Sequence, residues 1–342
     1  MILKTTVLFL FVLVAMSSVK AQTVIVSNEN EKTHACDSTE IAFASDTQAP
    51  MWVETLWLKA NNNRTATRLL FNDLCRRKPG ALFLLGDVVN LGYSNAQWRP
   101  MDRYLTSLRG EGVQVHAILG NHEVMGRPVA GERKFQERFP EHVRTGYVQI
   151  VDSVAVVLLN SNFKNLTEEE DRRQLEWYAD TLKSLNADPG VQYIVVGCHH
   201  SPYTNSKIVG ASHAVQQRFV KDFLETPKCR LFLSGHSHNY EHFHISGKDF
   251  MVIGGGGGIH QPLRPSSEEM NDTAPDYKPA FHYLTIKRQK DHLVVTSHEL
   301  TGDFTAFNDG RSVAIQHDSE KVLVVSAHQK SAEPMTASGP MK

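Results

Sequence analysis

The chain has 342 residues, enough for one large domain or two small ones, and its 41% hydrophobic content is typical of a packed globular protein. Its 36 basic and 37 acidic residues leave a formal net charge of -1, so no nucleic-acid-binding surface is evident from the composition. Histidine is abundant, with 17 residues, and it is the commonest transition-metal ligand, so the positions of these histidines along the chain need explanation.

The first residues predict export. Lys4 precedes an apolar run from Val7 to Met16, and small or apolar side chains at Val19 and Ala21 complete the layout of a cleaved signal peptide over residues 1–21. The run is shorter than the roughly 20 residues that a membrane span needs, and no later stretch is a candidate span. We therefore expect a secreted or periplasmic protein that has no membrane span after signal cleavage.

Short apolar runs alternate with amphipathic segments up to about residue 234. The runs typical of buried strands are Ile41–Ser45, Ala81–Leu85, Val113–Leu119, Val154–Leu159, Tyr193–Gly197 and Leu231–Ser234. Segments with the apolar spacing of helices lie between them, at Thr65–Arg76, Met101–Leu108, Glu169–Leu185 and His213–Leu224. Near-continuous apolar strands that alternate with helices predict an α/β fold in which the sheet is buried on both faces.

The pattern changes after residue 235. Short β-like runs follow, at Phe250–Ile253, His282–Ile286 and His292–His298, and five consecutive glycines occupy residues 254–258. His242 and His244 alternate as they would on a strand, and we expect them to be ordinary surface residues. From about residue 330 the chain has little to bury, which predicts a disordered tail.

Polar side chains follow five of the predicted strands at the point where each strand ends. Because the carboxyl ends of strands form the ligand crevice of open α/β sheets, these side chains are expected to converge. They are Asp46 and Gln48, then Asp87, then Asn121, His122 and Glu123, then His199 and His200, and finally His236 and His238. Carboxylates, amide oxygens and imidazoles together form a ligand set for Zn, Mn or Fe. The sequence therefore predicts a metal centre at this edge of the sheet.

The order of these residues resembles the motif series of the calcineurin-like metallophosphoesterase superfamily over roughly residues 41 to 260. The matching stretches are Asp46-Thr47-Gln48, Gly86-Asp87, Gly120-Asn121-His122-Glu123, His200-Ser201-Pro202 and Gly235-His236-Ser237-His238. The last two, extended to Tyr203 and Glu241, are similar to the purple acid phosphatase branch. The resemblance implies a four-layer αββα sandwich, two mixed sheets flanked by helices, as one domain over residues 36–300 with a C-terminal extension over 301–342.

The resemblance also implies a role for each residue. The first metal ion would be held by Asp46, Gln48, Asp87 and His238, and the second by Asp87, Asn121, His200 and His236. Asp87 would bridge two divalent or trivalent transition metal ions, of Fe, Mn or Zn. His122 would not bind metal but would protonate the leaving oxygen or stabilise the phosphoryl oxygens.

Two positions depart from the family pattern. Gln48 stands where the superfamily usually has histidine, although an Asp-x-Gln variant is known in it. Purple acid phosphatases carry a tyrosine ligand three residues after the bridging aspartate, and here that position is Asn90. We therefore expect no tyrosinate colour, and we expect the first metal ion to bind less tightly than the second, because a neutral amide is a weaker ligand than imidazole.

The remaining polar residues beside these motifs have two interpretations each. His200 is preferred over His199 as the ligand because the family pattern places its ligand two residues before proline. His199 is then expected to bind substrate or to lie buried beside the ligands. His213 could reach the substrate phosphate or simply pack at a helix start. Glu123 is expected to be the hydrogen-bond partner of a histidine rather than a ligand.

The expected activity is hydrolysis of a small phosphoester. We predict a phosphomonoesterase similar to acid phosphatases, in which a metal-bridging hydroxide attacks phosphorus in line and His122 assists the leaving group. A phosphodiesterase or nucleotidase is the alternative enzyme, since specificity lies in loops around the same centre. An alternative of another class is a non-catalytic metal-binding protein on the same scaffold, which Gln48 favours and His122 opposes.

The position of each cysteine before or after a predicted strand indicates which cysteines can form a disulfide. Cys198 follows a predicted strand and Cys229 precedes one, so in parallel strands they lie at opposite ends, beyond the roughly 7 Å between Cα atoms that a disulfide allows. We predict that these two are not bonded. Cys36, Cys75 and Cys229 all precede strands, so Cys75 is predicted to pair with Cys36 or with Cys229.

Overall fold

The computed structural model describes residues 38–264, 270–274, 280–316 and 323–325. The predicted signal peptide, Cys36 and the predicted disordered tail from about residue 330 lie outside these residues. Within them, every helix is too short or too polar to cross a membrane.

The secondary structure begins with a strand and alternates as predicted. In chain order, the strands of the described residues are β1 (Ile41–Ala44), β2 (Ala81–Leu84), β3 (Gln114–Ala117), β4 (Tyr147–Val151), β5 (Val154–Leu159), β6 (Tyr193–Cys198), β7 (Cys229–Ser234), β8 (Tyr240–Ile245), β9 (Lys248–Ile253), β10 (His282–Arg288), β11 (His292–Leu300), β12 (Phe307–Gln316) and β13 (Leu323–Val325). The helices there are α1 (Asn63–Arg77), α2 (Asn95–Gly110), α3 (Asn121–Val124), α4 (Pro128–Gln136), α5 (Glu168–Ala187), α6 (His213–Val215) and α7 (Lys221–Glu225). A π-helical segment, Gln216–Val220, joins the last two.

These strands form two mixed sheets. The first has the order β13-β12-β11-β10-β1-β2-β3, in which β1, β2 and β3 are parallel and β10 runs antiparallel to β1. The second has the order β4-β5-β6-β7-β9-β8, with parallel strands in the middle and an antiparallel strand at each edge. The predicted domain boundary at residue 300 falls between β11 and β12, which are neighbours in the first sheet.

The two sheets face each other and helices cover their outer faces. Alternate side chains of a strand point to opposite faces, so one set from each sheet forms the central core, which includes Phe43, Phe83, Val156 and Val195. The opposite set packs under α1 and α2 on the first sheet and under α5 and the α6–α7 helix on the second, through Leu70, Leu74, Leu105, Tyr178, Leu182 and Phe223. The predicted four-layer αββα sandwich is confirmed.

Two helix starts follow from side-chain caps. The hydroxyl of Thr167 accepts a hydrogen bond from the amide of Glu170 (3.2 Å), and the carboxylate of Glu170 accepts one from the amide of Thr167 (2.8 Å). This reciprocal pair satisfies two amides that the first turn of α5 would leave open. Ser212 caps α6 by accepting from the amide of Val215 at 3.3 Å.

The cysteine predictions have two outcomes. Cys75, Cys198 and Cys229 carry free thiols. The prediction that Cys198 and Cys229 are not bonded is confirmed, because β6 and β7 are parallel and pair Cys198 with Ser234 rather than with Cys229. The predicted alternative of a Cys75 to Cys229 bridge is wrong, because the two residues pack on the outer faces of different sheets.

Candidate metal centre

Three predicted site residues have a left-handed backbone within three residues of the end of a strand. Asp46 follows the end of β1 with φ 59°, Asp87 follows β2 with φ 49°, and His236 follows β7 with φ 65°. A side chain other than glycine rarely adopts such angles, and where it does the strain is often part of a functional site. All three turns lie at the carboxyl ends of parallel strands, where the sequence predicts the centre.

Glycines let the backbone segments of the site approach closely. A Cβ on Gly235 would lie 1.9 Å from Oγ of Ser45 and 2.4 Å from Oδ2 of Asp46. A Cβ on Gly258, the last of the five consecutive glycines, would lie 2.5 Å from the His238 ring. The five-glycine segment therefore lies beside His238, one of the predicted ligands, and larger residues there would displace the site.

Three possible ligand atoms of the first predicted group lie close together. They are Nε2 of His238, Oδ1 of Asp46 and the side-chain oxygen of Gln48. His238 donates through Nδ1 to the carbonyl oxygen of Ile259 (2.7 Å), which leaves Nε2 facing Oδ1 of Asp46 at 3.3 Å. The Gln48 amide is best satisfied with its nitrogen donating to the backbone oxygens of Asp46 (3.1 Å) and Asp87 (2.7 Å). Its oxygen then lies 3.4 Å from Nε2 of His238. Among the described residues Oδ1 of Asp46 accepts no hydrogen bond, so a cation fits this gap.

The pKa of His238 reflects the same arrangement. Burial disfavours the charged ring, but the carboxylate of Asp46 outweighs burial and raises the pKa of His238. A proton on Nε2 and a metal ion are alternative ways to offset the negative charge at this position.

His199 is fully buried, and two other predicted ligands, Asp87 and Asn121, contact its ring. Its Nδ1 donates to the carbonyl oxygen of Leu85 at 2.9 Å. Its Nε2 lies 3.2 Å from Oδ2 of Asp87 and 3.0 Å from Oδ1 of Asn121, both of which are acceptors. Burial lowers the pKa of His199, but Asp87 more than offsets this and raises it to about 9. The sequence predicts His199 as a substrate-binding or merely buried residue, and its contacts place it among the ligand atoms.

His200 and His236 complete the cluster. The ring centroids of His200 and His236 are 4.6 Å apart, and those of His199 and His236 are 5.1 Å apart. Burial lowers the pKa of His200 to about 3 and holds that of His236 well below its ordinary range, so both rings are neutral and can offer a lone pair. Oγ of Ser161, which no sequence motif singled out, lies 2.8 Å from Nδ1 of His200 and fixes that ring.

His122 lies beside the ligand atoms without joining them. Its Nδ1 donates to the carbonyl oxygen of Asn90 at 3.1 Å, and its Nε2 is 3.8 Å from Oδ2 of Asp87. The backbone amide of His122 donates to Oδ1 of Asp87 at 2.8 Å. Burial opposes ionisation of Asp87, but the surrounding histidines outweigh it and hold the pKa of this carboxyl far below its usual range. Asp87 is therefore an ionised carboxylate.

Backbone amides, and not the predicted histidine, are the hydrogen-bond partners of Glu123. Its buried carboxylate accepts hydrogen bonds from the backbone amides of Gly120 (2.8 Å), Asp87 (2.9 Å) and Val89 (3.0 Å). These bonds join the loops that follow β2 and β3. Burial and the charge of Asp87 raise the pKa of Glu123 to about 7. Glu123 therefore positions the backbone that carries Asp87 and Asn121.

The remaining predicted histidines lie apart from these contacts. His213 is exposed, and its Nδ1 lies 3.1 Å from Oε1 of Gln216, so its contact with a substrate phosphate stays a prediction. His242 was expected at the surface and is instead buried, with Nε2 2.8 Å from Oδ1 of Asp249. The reason is that Asp272 and Thr273 bond to the backbone of His242 and cover this part of β8.

One further histidine of the site was missed by sequence reasoning. Nε2 of His260 is buried and has no hydrogen-bond partner among the described residues. The ring packs on Phe281 with centroids 4.3 Å apart. Burial, and then the charge of His238, lower the pKa of His260 to about 4. Its position just after the five-glycine segment was the only signal that could have indicated it.

This fold and this cluster of buried carboxylates and imidazoles define a metal-dependent phosphoester hydrolase. The sequence profile of the family described as calcineurin-like phosphoesterase matches residues 39–240, which is more than half of the chain. The protein therefore belongs to the calcineurin-like phosphoesterases. No curated protein matches this chain.

Several solved structures share the fold at low identity. The purple acid phosphatase PPD1 of yellow lupin is 15% identical with a TM-score of 0.57, over 79% of this chain and 53% of the lupin chain, so this chain spans about half of that enzyme. GAP50, the anchor in the inner membrane complex of Plasmodium, is 12% identical with a TM-score of 0.60, over 86% of this chain and 91% of GAP50. A dimetal phosphatase from Danio rerio is 14% identical with a TM-score of 0.52, over 83% of this chain and 100% of its own. At these identities the likeness concerns the fold alone.

Proposed function

We propose that this protein is an exported phosphomonoesterase that binds two transition metal ions. The observation that supports this most directly is a pair of adjacent ligand groups that share His199, whose Nε2 lies 3.2 Å from Oδ2 of Asp87, the proposed bridging residue. Ligand atoms of Asp46, Asp87 and His199 lie within 4.8 Å of one another, and so do those of His199, His200 and His236. Two adjacent groups of this kind suit two adjacent ions.

The residues present fit such ions. Asp46, Gln48, Asp87 and His238 would hold the first ion, and Asp87, Asn121, His200 and His236 the second. We add His199 to the residues that would contact the second ion, because its Nε2 faces both Asp87 and Asn121. Oxygen and nitrogen donors of this mixture suit Fe, Mn or Zn. When bound, two such ions supply a nucleophile near neutral pH and offset the charge of the phosphoryl oxygens.

His122 is the proposed general acid. Because its Nδ1 proton is held by the carbonyl oxygen of Asn90, Nε2 is the nitrogen left to carry a proton to the leaving oxygen. Its backbone bond to Asp87 keeps the ring next to the bridging carboxylate. A correctly placed proton donor of this kind contributes roughly a hundredfold to ten-thousandfold in rate.

A comparison of substrates tests the proposed activity. Protein reconstituted with Mn, Zn or Fe is assayed with an aryl phosphate monoester, an aryl phosphate diester and nucleotides across a range of pH, with Asp87→Asn as the inactive control. We expect the monoester to be hydrolysed most efficiently. A preference for the diester or for nucleotides would support the phosphodiesterase or nucleotidase alternative instead.

A non-catalytic role is the second candidate. Gln48 at a position that usually carries imidazole favours it, and so does the fold likeness to GAP50, which is described as an anchor. Binding of two ions without hydrolysis of any of these substrates would support this candidate and contradict the first.

Export is tested separately from catalysis. Expression of the full chain in a secreting host should yield mature protein outside the cytoplasm that begins at Gln22. Mass spectrometry of the amino terminus decides this, and an intact chain retained in the cytoplasm would contradict it.

A further inference from the structure

A cavity of about 440 Å³ lies beside the metal centre, between the first turns of α1 and α2. Its lining includes Thr47, which stands between Asp46 and Gln48, and Val88, which follows Asp87. The hydroxyl of Thr47 donates to the carbonyl oxygen of Val88 at 3.2 Å and so joins the two loops that carry these ligands. The volume is in the range of small-molecule sites.

Three arginines give this cavity a positive charge. Arg64 and Arg68 line it from α1 and Arg103 lines it from α2, and the lining contains no acidic residue. Across the described ranges, none of the three guanidinium groups has a hydrogen bond or an ion pair with the protein. All three arginines are exposed, and their unpaired charges of one sign give the cavity a positive potential that an anion bound there would offset.

The other residues that line the cavity indicate which further groups a ligand would carry. Val89, Met101 and Tyr104 form an apolar wall. Asn90 also lines the cavity, and its buried Oδ1 has no hydrogen-bond partner in the described part of the chain. An unpaired buried acceptor is costly, so a ligand that brings a hydroxyl or amino donor would satisfy it.

Asn90 connects the cavity to the proposed chemistry. Asn90 lines the cavity, and its backbone oxygen accepts a hydrogen bond from Nδ1 of His122 at 3.1 Å. The proposed general acid acts on the leaving oxygen, so the residue that holds its ring is also part of the cavity wall. The arginines line the same cavity from the two helices.

We propose that this cavity binds the leaving-group part of the substrate, and that this part carries a second anionic group on an apolar body with a hydroxyl or amino donor. The inference rests on the proposed phosphomonoesterase function and specifies its substrate class. A second phosphate and a carboxylate share the required chemistry.

Substrate selectivity tests the proposal. We compare kcat/KM for adenosine 3′,5′-bisphosphate, for 4-carboxyphenyl phosphate and for 4-nitrophenyl phosphate, which has no second anion. In the double variant Arg68→Gln/Arg103→Gln, the ratio of kcat/KM for the bisphosphate to that for 4-nitrophenyl phosphate should fall about tenfold or more, because each charge-assisted bond to phosphate is lost. A parallel fall for the carboxylate substrate would show that the site accepts either anion, and no fall there would show that it prefers phosphate.

Arg99→Gln is the matched control, because Arg99 lies on α2 but does not line the cavity. It should leave the ratio unchanged. An equal loss for all substrates in the double variant, or an unchanged ratio, would overturn the proposal.

A binding measurement separates this proposal from the proposed function. Calorimetric titration of metal-free protein with adenosine 3′,5′-bisphosphate measures binding without hydrolysis, and the comparison with the double variant separates binding in the cavity from binding at the metal centre. Binding to the wild-type protein that is lost in the double variant supports an anion site even if no phosphoester is hydrolysed, in which case only the phosphomonoesterase function fails. Equal binding by both proteins would overturn the anion site.

Discussion

Replacing His122 with alanine separates proton donation from metal binding. The His122 ring belongs to neither ligand group of the described residues, and its contacts are the carbonyl oxygen of Asn90 at 3.1 Å and Oδ2 of Asp87 at 3.8 Å. The substitution removes one hydrogen bond, so the free energy of unfolding should fall by only about 1 kcal/mol. Both ions should stay bound.

The expected loss of turnover depends on the leaving group. A general acid contributes roughly a hundredfold to ten-thousandfold, which corresponds to about 3 to 5 kcal/mol in the activation barrier. A 4-nitrophenolate leaves without much help from a proton, whereas the strongly basic alkoxide of an alkyl phosphate does not. We therefore expect His122→Ala to lower kcat for glycerol phosphate near the upper end of this range, and far less for 4-nitrophenyl phosphate.

The assay pairs kinetics with metal analysis. The value of kcat is measured for both substrates, and the metal content of the same samples is measured by mass spectrometry. Loss of metal from the variant would refute the assignment of His122 as a residue that acts on the leaving group. Equal losses for both substrates would refute it as well.

Three further substitutions test other parts of the structure. Gln48→His should tighten the first metal site, so that a mild chelator no longer removes one ion before the other, and unchanged retention would show that the amide does not limit affinity. Burial lowers the pKa of Lys248 from 10.5 to about 8, so its charge destabilises the native state below pH 8, and its own contribution to stability rises by up to about 3 kcal/mol as the pH increases towards 10.5. Burial raises the pKa of the Cys229 thiol from 9.0 to about 12, which lowers stability above pH 9, so the effect of Lys248 is measured as the difference in urea-unfolding free energy between the wild type and Lys248→Met, and a difference that does not change with pH would contradict it. Tyr147→Phe should cost about 1–3 kcal/mol, because the Tyr147 hydroxyl donates to the carbonyl of Ala117 at 2.7 Å and accepts from its amide at 3.1 Å, and a smaller change in urea denaturation would contradict this.

The metal centre could be predicted because each ligand follows a strand that is readable from its own apolar run. Asp46 comes directly after such a run and Asp87 comes one residue later, after Gly86, and parallel strands bring their carboxyl ends to one edge. The start of α5 was equally local, since Thr167 and Glu170 form the cap within four residues. Such features are set by residues that are close together in the chain, so they can be predicted from the sequence.

Features that depend on distant segments could not be predicted. The burial of His242 results from Asp272, thirty residues further along the chain, which bonds to its backbone. The helix α2 begins at Asn95, before the predicted Met101, because Trp98 is fully buried and donates from Nε1 to the carbonyl of Gly92 at 2.7 Å. Packing of this side chain extends the helix across Pro100, which local propensity would place at its start.

The arginine cavity was missed for the same reason. Arg64 and Arg68 come from α1 and Arg103 from α2, and nothing in either segment indicates that they line one space. The side chain of His199 was assigned by its place in a motif, whereas its contacts with Asp87 and Asn121 depend on three separate strand ends.

Anomalous diffraction from crystals of the protein reconstituted with Mn or Zn tests the proposed two-ion centre most directly. We expect two peaks per chain, with the carboxylate of Asp87 contacting both ions, His238 contacting one of them, and His200 and His236 contacting the other. A single peak, or two peaks of which Asp87 contacts only one, would contradict the two-ion centre from which the proposed function is built.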